Sequence, residues 1–297
     1  VMAAGGAPAG DAVAAALPAG ACDCHVHVVG EQAAYPMLPD RPYTAGPATV
    51  ADLRGHMGRL GLARAVIVQP SFYGTDNRLL VDSLAAMRGD GRGVAVLAED
   101  VSDATLGELH DAGVRGVRIN LESVGASDPE AVVRAFGAWA GRLRGQGWHI
   151  QTYASLDAIA AAAPRLRGLG LPVVLDHFST IPARLGLGDA RVREVLDLVG
   201  SGAAYVKLSG SYRINQGATA QQVTALARAF LAANPERAVW ASDWPHTSRA
   251  PGKLPTEVSP YRDIDPRGLR EEIDTWLPET DLRVQVLVSN PARLYGF

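Results

Sequence analysis

The chain has 297 residues, 47% hydrophobic and 20% charged, with a formal net charge of -3, enough apolar side chain for one large core or two smaller ones. Its Lys and Arg are scattered, which argues against nucleic acid or an anionic membrane as partner and in favour of a small molecule. The two cysteines, Cys22 and Cys24, stand too close along one extended segment to bridge and too few for a Cys-rich zinc site, so buried thiols in a reducing, cytoplasmic compartment are expected.

Residues 1–20 are rich in Ala, Gly and Pro, without a basic start or a long apolar run. They are expected to be a flexible arm or the remnant of a processed leader, with residues 21–297 as the single folded domain. No stretch reaches transmembrane length.

The apolar run Ala21–Val29 predicts a strand in which Asp23, His25 and His27 share one face and Cys24, Val26 and Val28 the other. A long Pro-containing loop follows, Gly30 to Pro47, carrying Tyr35 and Tyr43. Val50–Leu62 has Leu53, Met57 and Leu60 at helical spacing, and Ala65–Pro70 is a buried strand. Thr75–Arg88 predicts a helix capped by Thr75. The alternation continues with strands at Gly93–Ala98, Gly116–Leu121, His149–Tyr153, Pro172–His177, Ala204–Leu208 and Ala238–Ser242. Between them, helices are predicted at Asp103–Ala112, Pro129–Arg144, Leu156–Leu166, Ala190–Leu198 and Thr219–Ala233.

Eight apolar runs alternating with helices imply a parallel sheet with right-handed crossovers. Eight strands close a barrel, and no Gly-rich dinucleotide fingerprint follows the first strand, so the fold class read here is α/β, a (β/α)8 TIM barrel. Three further helices, Arg267–Trp276, Asp281–Val288 and Asn290–Tyr295, should pack outside it or cover one end.

Chemistry in such barrels sits at the carboxyl ends of the strands. Those ends carry His25 and His27, then Ser71, then Arg118 with Asn120, then Tyr153. Asp176 with His177, the stretch Ser209–Arg213, and Asp243 with His246 complete the circuit. Each residue alone has a structural alternative: Arg118 in an external ion pair, Tyr153 as a core aromatic, Asp176 holding a neighbouring backbone. Convergence at one end favours function, because buried charge is costly unless paired or used.

This pattern resembles the amidohydrolase superfamily, in the branch that includes 2-pyrone-4,6-dicarboxylate lactonase. The matching pieces are ACDCHVHV (Ala21–Val28), the loop Tyr35–Thr44, AVIVQPSFYGTDN (Ala65–Asn77), GVRGVRIN (Gly113–Asn120), VVLDHF (Val173–Phe178), VKLSGSYR (Val206–Arg213) and WASDWPH (Trp240–His246). The resemblance implies a hydrolase opening a carboxylated lactone, such as a pyrone dicarboxylate, a muconolactone or a sugar-acid lactone. It makes Asp243 the base for the attacking water and His25, His27 and His177 the groups that polarise the carbonyl. Arg118, Arg213, Ser71, Tyr43 and Tyr153 match its substrate contacts.

Most of the superfamily binds metal through the HxH pair, a Lys or Glu on strand four, His on strands five and six, and Asp on strand eight. Here strand four ends in Arg118 and Asn120 with Glu122 beyond, strand five in Gln151 and Tyr153, and His149 lies at the wrong end of its strand. No metal or other cofactor is therefore expected; a single zinc on His25, His27, His177 and Asp243 is the alternative. The lactonase it resembles also uses an Arg soon after strand four, and Leu121–Asp128 contains none. Other readings are a zinc-dependent hydrolase or non-oxidative decarboxylase, a lactone isomerase, and a non-catalytic barrel that binds carboxylates.

Overall fold

The computed structural model describes residues 16–121 and 128–297, so the expected arm over residues 1–20 lies mostly outside the described residues, as does Glu122. Eight strands pair in parallel and in chain order: β1 (Cys22–Val26), β2 (Arg64–Val68), β3 (Gly91–Ala95), β4 (Val114–Asn120), β5 (His149–Tyr153), β6 (Val173–Leu175), β7 (Ala204–Leu208) and β8 (Ala238–Trp240). Helices cross between them: α1 (Val50–Leu60), α2 (Arg78–Met87), α3 (Asp103–Asp111), α4 (Pro129–Leu143), α5 (Leu156–Leu166), α6 (Ala190–Gly200), the short α7 (Ser211–Ile214) and α8 (Ala220–Ala233). The ring closes just beyond β8, where Asp243 N–H donates to the His25 carbonyl (3.1 Å) and His27 N–H to the Trp244 carbonyl (2.8 Å). The expected (β/α)8 barrel is therefore the fold, and its seam lies at the HxH strand.

The strands are apolar on both faces because each is covered twice. Cys22, Cys24, Val66, Val68, Val174 and Tyr205 are among the side chains that fill the barrel. Ile67, Val117, Ile150, Leu175, Val206 and Trp240 face the helices. The C-terminal tail covers the amino end, where the Tyr295 ring meets that of His149, 5.3 Å between centroids.

The strand expected at Gly93–Ala98 runs over Gly91–Ala95, and the helix expected at Asp281–Val288 is an α-helix over Thr280–Val284 that continues as a π turn over Gln285–Ser289; two further local expectations also change. A register shift in β1 between Asp23 and Val26 breaks the simple alternation. Cys24 joins the barrel interior, His25 reaches the interior residues of β6 and β7, and Asp23 instead meets His56 of α1, so Asp23 does not share a face with the two histidines. Thr75 does not cap α2, which begins at Arg78 after a single turn over Ser71–Tyr73. The helix expected over Thr219–Ala233 forms, and Thr219 caps it through a reciprocal bond pair with Gln222.

The long loop after β1 is tied down across the carboxyl mouth. Thr44–Ala45 pairs in parallel with Val258–Ser259, and the Thr44 hydroxyl donates to the Pro255 carbonyl (2.7 Å). Among the described residues no helix is long and apolar enough to cross a membrane.

Candidate active site

Because the seam runs through residues 25–27 and 243–244, backbone pairing itself places Asp243 against the two histidines. Asp243 and His177 both have positive φ, 63° and 48°, a conformation costing a non-glycine residue about 1–3 kcal/mol and found where the surroundings impose it, often at functional sites. A buried knot behind Asp243 supplies part of that constraint. Asp23 Oδ1 accepts from Ser242 N–H (2.9 Å), the Ser242 hydroxyl accepts from Trp244 N–H (3.0 Å), and His56 Nε2 lies 3.3 Å from Asp23 Oδ2 and 3.2 Å from Ser242 Oγ. One ring nitrogen meets both partners, so Ser242, His56 and Asp23 are not a nucleophilic relay, which needs both nitrogens.

A hydrogen-bond chain orders the imidazoles. His27 Nδ1 lies 2.7 Å from the Val68 carbonyl, which can only accept, so Nδ1 carries the proton and Nε2 is free to accept. His25 Nε2, 3.3 Å away, is then the donor, which leaves His25 Nδ1 as an acceptor. The Lys207 ammonium donates to it at 3.2 Å. The same ammonium donates to Gln151 Oε1 (2.7 Å) and lies 3.5 Å from Asp176 Oδ1. Gln151 Nε2 donates to Asp176 Oδ2 (3.2 Å), and Arg118 Nε stands 3.6 Å from that oxygen.

Asp243 is held on one side only. Its Oδ2 accepts from the Tyr212 hydroxyl (2.5 Å) and Arg213 Nε (2.6 Å). Its Oδ1 has no hydrogen-bond partner among the described residues and faces His25 Nε2 at 3.9 Å and His177 Nε2 at 3.8 Å. Burial alone would raise the Asp243 carboxyl; the Arg213 guanidinium overrides it and holds the group well below the usual carboxylate range. Burial lowers the three imidazoles, His27 and His177 to about 4, so at neutral pH they are uncharged N–H donors and lone-pair acceptors. His177 Nδ1 is fixed by the Ser209 hydroxyl at 2.9 Å.

Above this floor opens a cavity of about 400 Å³, within the range for small-molecule sites. Tyr43, Ser71, Arg118, Tyr153 and Arg213 all line it, together with His27, His177 and Asp243. His25 is the exception: fully buried, it lies behind His27 and His177 with ring centroids 4.9 and 4.7 Å away, so it is a support for the wall and not part of it. His149 sits buried at the far end of the barrel, as its place in β5 implies. His246 packs edge-on to Tyr212 at 6.1 Å.

The donor set fits one metal ion. His25, His27 and Asp243 each offer a ligand atom within 4.8 Å of the others, as do His25, Asp176 and His177. A second ion is poorly served, because strands four and five present Arg118 and Gln151, and the Lys207 ammonium already occupies the space beside His25.

The amidohydrolase family profile matches residues 22–297. The chain belongs to that family. It is 32% identical over 287 residues to the 4-sulfomuconolactone hydrolase of Rhizobium radiobacter, covering 95% of this chain and 91% of the relative. Against the 2-pyrone-4,6-dicarboxylate hydrolase of Comamonas testosteroni the identity is 33% over 291 residues, covering 94% and 91%. A Pseudomonas putida crystal structure described as a 2-pyrone-4,6-dicarboxylic acid hydrolase superposes with TM-score 0.76 at 32% identity, covering 94% of this chain and 98% of that one.

Within this amidohydrolase site Lys207 is the residue that the strand-end pattern does not single out; Tyr212 is covered only as part of Ser209–Arg213, and Asp176 and Gln151 carry no assigned partner there. Lys207 left a usable trace: it stands two residues from inward-facing Tyr205 in an otherwise apolar strand, which puts a charge inside the barrel. The bond of Tyr212 to Asp243 left no trace, since its reach depends on the turn into α7.

Proposed function

We propose that this amidohydrolase is a lactonase, hydrolysing the ring ester of a lactone that carries anionic substituents. The observation that carries the reading is Asp243: a buried, ionised carboxylate with one oxygen clamped by Tyr212 and Arg213 and the other turned toward His177 at the base of an arginine-lined cavity. The names of the relatives, lactone hydrolases for anionic substrates, support it.

In this mechanism Asp243 Oδ1 accepts the proton of the attacking water. A carboxylate held so far down by Arg213 is a weak base. A substrate carboxylate at Arg213 competes for the guanidinium and raises Asp243's basicity when the site is filled. His177, neutral and on the wall with Nδ1 held by Ser209, is placed to turn an Nε2–H on the carbonyl and stabilise the oxyanion; His27 spends its one N–H on the Val68 carbonyl and shapes the wall beside it, held with His25 and Lys207. Arg118, Ser71, Tyr43 and Tyr153 orient the rest of the ring.

Catalysis by these groups without a metal is part of the proposal, on the ground that Lys207, Arg118 and Arg213 already place three cations around the imidazoles and carboxylates. A single divalent ion is the second reading, favoured by the convergence of His25, His27 and Asp243; bound there, it would act as a Lewis acid toward the carbonyl or water.

The test is ring opening of a panel of anionic lactones, followed by proton release, with metal content and chelation measured on the same sample. Asp243→Asn should lower turnover by at least about 10³-fold with binding still measurable. Wild-type turnover of no lactone in the panel, or an active Asp243→Asn protein, would sink the reading.

A further inference from the structure

We propose that Arg249 and Arg262, on the segment after β8, form a second anion subsite at the rim of the cavity. It would take the anionic substituent of the substrate that lies away from Arg213.

The inner arginines are already engaged. Arg213 donates to Asp243 at 2.6 Å, and Arg118 lies 3.6 Å from Asp176, so much of their charge is spent within the protein. The stretch 121–128 that follows β4 contains no Arg. Yet Arg249 and Arg262 also line the cavity, giving its wall four guanidiniums against the one carboxylate of Asp243. Both outer arginines are exposed, and among the described residues neither has a carboxylate within ion-pair distance. Arg249 has no hydrogen-bond partner among those residues either.

Their positions are built, not incidental. Arg262 N–H donates to the His246 carbonyl at 2.9 Å and its guanidinium donates to the Thr247 carbonyl. That guanidinium lies over the Tyr212 ring, 5.0 Å from its centroid. Tyr212 in turn donates to Asp243, so Arg262 is registered to the reacting carboxylate through one intervening side chain. The segment bearing Arg249 is tied back by Ala250 N–H to Ser259 Oγ (3.3 Å) and Ser248 Oγ to the Pro260 carbonyl (2.5 Å). A guanidinium fork matches the planar carboxylate edge and also two oxygens of a sulfonate; the shared chemistry is a second oxyanion.

The lactone reading supplies the substrate class on which this rests, so the test uses binding and not turnover. Benzoate, benzene-1,3-dicarboxylate and 3-sulfobenzoate are titrated calorimetrically into the wild type, Arg249→Gln, Arg262→Gln and the double variant. Lys253→Gln, an exposed cation on the same segment that does not line the cavity, is the control. The wild type should prefer a dianion over benzoate by at least about tenfold, the double variant should lose most of that ratio, and Lys253→Gln should keep it. Preference for the sulfonate or for the second carboxylate identifies which oxyanion the subsite suits. No dianion preference in the wild type, or an undiminished ratio in the double variant, overturns the subsite. If dianions bind as expected but no lactone is opened, only the lactonase reading fails.

Discussion

Lys207→Met isolates the residue beneath the site that orders it. In the wild type Lys207 Nζ contacts His25 Nδ1, Gln151 Oε1 and Asp176 Oδ1 at 3.2, 2.7 and 3.5 Å, with no solvent exposure. Removing one partner of a buried ion pair costs about 3–5 kcal/mol, and the low end applies because Arg118 remains 3.6 Å from Asp176. For a chain of this size that corresponds to a melting temperature lowered by roughly 6–9 °C. The functional effect is separate. Without its donor, His25 Nδ1 can take the proton and turn it toward Asp176, 3.3 Å away, which strips Nε2 of the hydrogen that orders His27.

The expected rate loss is about 10²-fold in kcat/KM, comparable to losing one oxyanion donor. Burial and then Lys207 hold the His25 imidazole down, so the acid limb of the activity profile should also move to higher pH. Adding Asp176→Asn removes the uncompensated charge and should restore part of the stability without restoring the rate. The assays are thermal melts and pH-rate profiles against any lactone the wild type opens. A Lys207→Met protein that melts low but keeps the wild-type rate and pH profile would refute the tautomer argument and leave Lys207 purely structural.

Acidification should destabilise the fold early. His27, His177 and His246 are pushed down by burial to about 4 and His149 to about 3. The unfolded chain therefore binds protons below about pH 6.5 that the folded one refuses. Stability is complete above that pH and falls as pH drops toward 4, by about 2 kcal/mol per such histidine at pH 5; denaturant midpoints unchanged between pH 7.5 and 5 would contradict it. Gly116→Ala should also destabilise, by about 1–3 kcal/mol, because its Cβ would stand 2.4 Å from His149 Nε2. Rescue by His149→Ala in a double-mutant cycle checks that this contact is the cause, and additive losses would exclude it.

How far the sequence could be read follows from the range of the forces involved. Strand and helix positions depend on local periodicity and caps, so His149–Tyr153, Leu156–Leu166 and Ala204–Leu208 match to the residue. Asp23 departs because a register shift in β1 is set by its neighbours and not by its own alternation. Thr75 departs because Asn77 is held instead by Thr75 and Val96 carbonyls, which delays the helix.

By itself, the order of residues determined that eight strands would aim His27, His177, Asp243, Arg118 and Arg213 at one mouth, since parallel alternation leaves all strand ends on the same side. Tertiary structure alone decided which of them meet. The seam put Asp243 against the HxH strand; the closing of β7 onto β6 set Lys207 under His25; and the turn into α7 brought Tyr212 and Arg213 to a single carboxylate oxygen. These contacts join residues from 30 to more than 180 positions apart, a separation over which local pattern carries no record of which partner a side chain will find.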